Sequence, residues 1–149
     1  MQFLTLLDRL LANKTSLGLL VLRIAIGVVF IAHGGQKLFV NGIAATADGF
    51  AGLGIPFPFP NAVAATFVEL VGGLLILVGL LTRWSSIPVA FTMVVAFAMV
   101  HGKNGFFMQT GGFEYVAVLF LGAIALLFTG AGKYSLDHAL LGVKDPDAN

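Results

Sequence analysis

Residues 62–81 read AVAATFVELVGGLLILVGLL, a run of twenty residues in which Glu69 is the single charged side chain. An α-helix rises about 1.5 Å per residue, so a run of this length crosses the roughly 30 Å hydrocarbon core of a bilayer. Helices are favoured there because lipid offers no hydrogen-bond partner to a free backbone N–H or C=O group. This stretch therefore predicts a membrane-spanning helix with one carboxylate inside it.

Three further stretches have the same apolar character and similar length: residues 17–39, 84–101 and 113–130. Only Thr82 and Arg83 separate the second and third of the four stretches, which predicts a tight hairpin of two helices. Together the stretches predict an all-α, integral membrane four-helix bundle, with the whole chain, 1–149, forming a single domain.

The composition supports a membrane protein and excludes several soluble classes. Hydrophobic residues make up 58% of the chain and charged residues 10%, against about 25% charged residues in a typical soluble domain. The net charge of +1 provides no basic surface for a nucleic acid. Because the chain has no cysteine, it has no ligands for an iron–sulfur cluster or a thiolate-bound zinc, and we expect no metal site.

The segments outside the four stretches predict features at the membrane surface. Residues 1–13 have an amphipathic pattern that predicts an interfacial helix, and residues 143–149 form a polar tail. In the connection 40–61, the apolar residues Ile43, Ala47 and Phe50 recur at helical spacing and predict a short interfacial helix. The Pro–Phe run that follows, residues 56–60, is expected to be extended because proline removes a backbone donor.

The orientation follows from the lysines and arginines in the short connections. Five lie on the side of both termini and two on the opposite side, which predicts cytoplasmic termini in a multi-pass protein of the inner (cytoplasmic) membrane. The five are Arg9, Lys14, Arg83, Lys133 and Lys144, and the two are Lys37 and Lys103.

Glu69 needs a partner, because a charge at the bilayer centre costs about 2.5–3.5 kcal/mol on insertion scales. It lies roughly 10 Å inside the predicted second span, and its side chain is too short to reach the surface. On a helical wheel Arg23, His33 and Lys37 share one face of the first span, and His33 lies near the depth of Glu69. We therefore expect Glu69 to be shared by Arg23 below and His33 above. A purely structural Glu69–Arg23 ion pair is the simpler alternative.

Two more titratable residues, His101 and Glu114, lie toward the same outer surface, and the whole set fits three kinds of site. A quinone or quinol needs a donor or acceptor at each ring oxygen, so that protons move with the electrons. A proton-coupled exporter needs a titrating carboxylate such as Glu69. A b-type haem would need both histidines of the spans, His33 and His101, as its axial ligands; that is the minimum number, and we do not expect haem b.

Several short motifs follow one another along the chain: Arg23 with His33-Gly34-Gly35-Gln36-Lys37, Glu69-Leu70-Val71-Gly72-Gly73, Gly79-Leu80-Leu81-Thr82-Arg83, His101 with Phe106, Gly112 and Glu114-Tyr115, and Gly130-Ala131-Gly132-Lys133-Tyr134-Ser135-Leu136-Asp137. In order and spacing they resemble the DoxX family of small bacterial and archaeal membrane proteins, from Leu19 to Asp137. The resemblance implies a four-helix membrane protein loosely tied to redox chemistry, with some members similar to quinone-linked subunits. It brings no agreed active site.

The residues and the resemblance together predict a membrane subunit of a redox system that binds a quinone-like ring near the outer face. Glu69 and His33 are expected to exchange protons with the ring, while Arg23 keeps Glu69 ionised or orients it. Electrons are expected from a soluble or membrane-bound oxidoreductase partner, because the chain has no cysteine and no dinucleotide or flavin motif. The alternatives are a non-catalytic scaffold subunit and a small proton-coupled transporter.

Besides membrane lipid and the ring, a second copy of the chain is an expected partner, since a glycine-rich helix face favours self-association. The predicted ring-binding residues are Lys37, His101, Glu114, Phe30 and Phe106.

Overall fold

The computed structural model describes residues 14–144 and Pro146, and this part of the chain is helical with no strand. The all-α fold class is therefore confirmed. The helices are α1 (Thr15–Gly35), α2 (Ile43–Gly52), α3 (Pro58–Val78), α4 (Thr82–Ala96), α5 (Glu114–Thr129) and α6 (Leu136–Leu141). α1 continues as a π-helical segment over Gln36–Asn41, and α4 continues as another over Phe97–His101. Two short 3₁₀ turns, Gly102–Asn104 and Met108–Thr110, lie between α4 and α5.

Three helical stretches are long and apolar enough to cross a membrane: Thr15–Asn41, Pro58–Val78 and Thr82–Asn104. α5 is apolar but has only 16 residues, which corresponds to about 24 Å of helix. The membrane character of the chain is thus supported, whereas a complete fourth span and the cytoplasmic location of the termini stay predictions.

The helices alternate in direction, which gives the bundle two distinct ends. We call the end that carries residue 14, the α3–α4 turn and residues 130–144 the terminal side. The opposite end, which carries the connections 42–57 and 102–113, is the loop side. The predicted interfacial helix at residues 1–13 and most of the polar tail lie outside the described residues.

The start of α3 corrects one prediction about the Pro–Phe run. The helix begins at Pro58, and Phe57 precedes it in the left-handed region with φ 47°. Proline is tolerated in the first turn because the backbone N–H groups there have no partner within the helix. The extended conformation predicted for residues 56–60 is therefore wrong from Pro58 onward. The short helix predicted before this run is confirmed as α2, with Ala47 buried, and its location in the membrane interface stays a prediction.

Glycines let α1 and α3 approach each other closely. A side chain on Gly27 would meet the carbonyl oxygen of Gly73, and one on Gly34 would collide with the backbone of Leu70. Small residues serve the same purpose in other membrane helix pairs. The contact between Gly34 and Leu70 also places His33 and Glu69, their neighbours in sequence, at the same depth.

Candidate polar site on the loop side

The central feature of the loop side is an ion pair between Lys37 and Glu69. Lys37 lies in the π-helical end of α1, and its Nζ is 2.5 Å from Oε2 of Glu69 on α3. The carboxylate lies eleven residues, or about 16 Å of helix, from the start of α3, and its side chain is 8% exposed. The prediction that a basic residue of the first span answers Glu69 is confirmed.

The identity of that basic residue was predicted wrongly. Arg23 makes no ion pair with Glu69; its guanidinium donates to the carbonyl oxygens of Ala131 (2.7 Å), Leu77 (3.2 Å) and Tyr134 (2.8 Å). Depth explains the error, because Arg23 is eleven residues before Gly34, or about 16 Å of helix below the level of Glu69. The helical wheel placed Arg23 on the correct face of α1, but Arg23 lies too deep along the helix to reach Glu69.

His33 lies beside Tyr115 rather than against Glu69. The two rings have centroids 6.3 Å apart, and they join α1 to the first turn of α5. His33 Nδ1 lies 2.9 Å from the carbonyl oxygen of Val29. A carbonyl only accepts, so Nδ1 carries the proton of the neutral ring and Nε2 is left as an acceptor. Among the described residues, neither His33 Nε2 nor the Tyr115 hydroxyl has a hydrogen-bond partner.

We call Lys37, Glu69, His33 and Tyr115 the polar site. Its ion pair joins α1 to α3, and its ring pair joins α1 to α5. Within the described part of the chain, the second carboxylate oxygen of Glu69, Oε1, receives no hydrogen bond. The site therefore presents an acceptor on Glu69, an acceptor on His33 and a hydroxyl on Tyr115, each without a partner. Tyr115 was missed as a site residue, although the sequence places it in the first turn of the fourth apolar stretch.

His101 and Glu114 organise the connection between α4 and α5. His101 Nδ1 donates to the carbonyl oxygen of Gly111 at 2.7 Å, and Glu114 Oε1 accepts from the backbone N–H of Met108 at 2.7 Å. Both were predicted to bind the ring. The structure places them at the loop side, as expected, and their contacts there fold residues 102–113.

The two predicted aromatic contacts lie apart from the polar site. Phe30 is 1% exposed and belongs to the apolar core of the bundle. Phe106 is exposed, and its ring packs edge-on against those of Phe107 and Phe113. A cavity of about 230 Å³ lies between α4 and α5 near Phe113, and its lining contains no charged or hydroxyl-bearing side chain. The lining residues are Met93, Val94, Phe97, Phe113, Val116, Ala117 and Phe120.

A second polar cluster closes the terminal side. Asp137, 6% exposed, accepts from the backbone N–H groups of Leu81 (2.7 Å) and Thr82 (3.0 Å), and so caps the start of α4. The carboxylate thus serves a helix that begins more than fifty residues earlier in the chain. Ser135 caps α6 as its position suggests, accepting from His138 N–H at 3.1 Å.

The polar site contains two kinds of group that can accept and return a proton. A neutral imidazole accepts a proton at Nε2 and returns it, and a carboxylate does the same at a free oxygen. The Lys37 ammonium holds the carboxylate of Glu69 in place through a charge-assisted hydrogen bond. No group of three or more histidine, aspartate or glutamate side chains arranged to bind a metal occurs in residues 14–144.

Several known proteins are similar in sequence to this chain over most of its length. The DoxX family model matches residues 18–102. "Putative oxidoreductase CatD" of Bacillus subtilis is 35% identical, over 84% of this chain and 89% of that protein. "Inner membrane protein YqjF" of Escherichia coli is 34% identical, over 83% of this chain and 92% of that protein. An uncharacterized membrane protein of Mycobacterium tuberculosis is 32% identical, over 89% and 86% of the two chains. No solved structure matches the sequence. The chain belongs to the DoxX family of membrane proteins.

Proposed function

We propose that the protein is the membrane subunit of a redox system and binds a quinone or quinol ring at the polar site. The observation that carries the proposal is the set of three partnerless groups on Glu69, His33 and Tyr115, held at one depth beside the Lys37 ammonium. Polar groups inside a membrane are costly unless they are satisfied, and such groups mark ligand or proton pathways. The relative CatD carries the name of an oxidoreductase, which supports the same reading.

The proton balance of the reaction assigns a role to each residue. Reduction of a quinone to a quinol adds two electrons and two protons to the ring oxygens. The electrons come from a partner oxidoreductase, and His33 and Glu69 each pass a proton from water to one oxygen. Tyr115 donates a hydrogen bond to the ring, and Lys37 fixes the carboxylate. Arg23 has no part in this step, because its guanidinium is engaged at the terminal side.

The ring lies at the polar site rather than in the apolar cavity between α4 and α5. The cavity is large enough for a single ring, since a cavity of about 150 Å³ is known to hold benzene. However, none of its lining side chains can hydrogen-bond to a ring oxygen. Burying two carbonyl oxygens there without partners would cost a quinone several kcal/mol relative to a polar site. The proposal also includes α5 as the fourth membrane span and a cytoplasmic location of both termini.

Quinone retention in the purified protein tests the proposal. The protein is purified in a mild detergent, extracted with organic solvent and assayed for quinone by mass and absorbance. It is also titrated with a short-chain quinone. We expect Glu69→Gln to weaken binding at least about tenfold, which corresponds to the loss of a charge-assisted hydrogen bond. His33→Ala should weaken binding through the loss of its neutral acceptor. Tyr115→Phe should weaken it less, by the value of one neutral hydrogen bond.

Two matched controls separate the site from general effects on the fold. Asp48→Asn removes an exposed carboxylate on α2, and His138→Ala removes a histidine on the terminal side. Both variants should bind quinone like the natural protein. The proposal fails if the natural protein retains no quinone and binds none that is added, or if the controls lose as much as the site variants. In that case proton-coupled uptake in vesicles would support a transporter, and its absence a scaffold subunit.

A further inference from the structure

The terminal side of the bundle is closed by the segment 130–137. Arg23, only 2% exposed, holds the carbonyl oxygens of Ala131 and Tyr134 in this segment together with that of Leu77 on α3. The backbone N–H of Asp137 donates to the carbonyl oxygen of Gly79 at 2.7 Å. Gly79 has no room for a side chain, because a Cβ there would lie 2.6 Å from the Arg23 guanidinium. The segment is thus fastened to both α1 and the α3–α4 turn.

An apolar, buried layer separates this closed end from the polar site. It contains Phe30, Ile76, Ala123 and Leu126, each exposed by 1% or less. The sequence has no titratable residue in α1 between Arg23 and His33, or in α3 after Glu69. Between Arg23 and His33 the layer is therefore about 15 Å of helix thick, and neither α1 nor α3 contributes a titratable side chain that could relay a proton across it.

The hydroxyl groups of Ser85, Ser86 and Thr92 on α4 provide no alternative relay. Ser85 and Ser86 bond to carbonyl oxygens of their own helix one turn earlier, and Thr92 bonds to that of Val89. These bonds satisfy the backbone rather than bridge between helices. Arg23 itself cannot relay a proton, because its guanidinium does not release one at physiological pH.

The loop side, in contrast, leads directly to the polar site. His33 is exposed, and the Lys37 side chain is 19% exposed beside Glu69. Lys37 lies one turn nearer the loop end of α1 than His33. A lysine in this position keeps water at its ammonium, since a charged group in a membrane is stabilised by hydration as well as by its ion pair.

We propose that the polar site exchanges water and protons with the loop side alone. The inference deepens the proposed function, because both protons of a quinone–quinol conversion would then be taken from or released to one face of the membrane. A bundle with such one-sided access does not provide a through path for a transported ion in a single copy of the chain.

The absence of cysteine from the natural sequence permits a direct test by labelling. Single variants His33→Cys and Ala123→Cys are treated in sealed membranes with a charged thiol reagent that does not cross the bilayer, added to one face at a time. Lys103→Cys reports the loop side and Lys144→Cys the terminal side. Tyr115→Cys serves as a second probe of the polar site, should the His33 variant fail to fold.

Labelling is expected to follow water access, because the thiolate is the reactive form. His33→Cys should react at least about tenfold faster from the face that labels Lys103→Cys than from the face that labels Lys144→Cys. Ala123→Cys should react from neither face. Reaction of the His33 or Tyr115 variant from the terminal side, or from neither side, overturns the proposal, as does labelling of Ala123→Cys. Expected labelling in a protein that binds no quinone would support one-sided access and refute the proposed ligand.

Discussion

Replacement of Arg23 by methionine should destabilise the protein while leaving quinone binding per folded molecule unchanged. The side chain is 2% exposed and makes three hydrogen bonds to carbonyl oxygens, on Ala131, Leu77 and Tyr134. Charge-assisted hydrogen bonds contribute about 1.5–3 kcal/mol each in soluble proteins. Polar contacts between membrane helices are weaker, about 0.6 and at most about 1.7 kcal/mol, because the unfolded chain in lipid also finds partners. Three such contacts therefore predict a loss of about 2–5 kcal/mol.

Arg83 is a matched control for this variant. It too donates to three carbonyl oxygens, those of Leu127, Phe128 and Thr129 at the end of α5, but its side chain is exposed. Water and lipid headgroups can replace such exposed contacts with little loss of free energy, so Arg83→Met should destabilise the protein by less than about 1 kcal/mol. Arg23→Lys should fall between the two, because an ammonium keeps the charge but loses the planar fork of donors.

The assay is the free energy of unfolding in mixed micelles with rising dodecyl sulfate, followed by circular dichroism, together with bound quinone per folded molecule. Equal losses of unfolding free energy for Arg23→Met and Arg83→Met would contradict the role of Arg23 in holding the segment 130–137 at the terminal side. Loss of quinone from folded Arg23→Met would restore the direct role near Glu69 that the sequence predicted and would refute the site geometry.

Three further predictions concern packing, the ion pair and the cap of α4. Gly34→Ala should cost about 1–3 kcal/mol or more by forcing α1 away from α3, whereas Gly18→Ala, with open space around it, should gain about 0.5–1 kcal/mol in the same unfolding assay. Lys37→Met should cost on the order of 3 kcal/mol by leaving Glu69 without a counterion. The double variant Lys37→Met with Glu69→Gln should recover most of that stability without recovering quinone binding. If it recovers no stability, the two side chains do not stabilise the fold as a pair. Asp137→Ala should cost about 0.5–2 kcal/mol through the lost cap, with a smaller loss in Asp137→Asn, and equal losses would show that the cap contributes little.

The long apolar helices were predictable because hydropathy and helical rise determine them without knowledge of the neighbours. Residues 62–81 gave a span whose observed helix, Pro58–Val78, differs only at its ends. The start was misplaced because proline was treated as a helix breaker rather than a first-turn residue. The end was misplaced because Gly79 and Leu81 adopt left-handed backbone conformations and form the turn to α4.

The partners of the charges were less predictable than their presence. The cost of a buried carboxylate required a basic neighbour for Glu69, and depth along α1 allowed only a residue near Gly34. Arg23 was chosen on the helical wheel, which reports angle and not depth, although Lys37 satisfied that condition. The π-helical segment from Gln36 onward changes the direction of its side chain, and no feature of the sequence predicts that segment.

The terminal-side contacts depend on pairs far apart in the chain. Arg23 and Ala131 are separated by 108 residues, and Asp137 and Leu81 by 56. Helical periodicity carries no information about such pairs, because it relates residues only within one helix. The one available signal was the closing motif from Gly130 to Asp137, whose composition of glycine, serine and aspartate is typical of a tight, capped connection.

Photoaffinity labelling with a photoreactive quinone analogue tests the central claim most directly, because it reports where the ring lies. After illumination and digestion, we expect the label on peptides that contain His33 and Tyr115, and we expect Glu69→Gln to abolish it. A label confined to residues 93–97, on the wall of the apolar cavity, or to the terminal side would contradict the placement of the ring beside the Lys37–Glu69 pair.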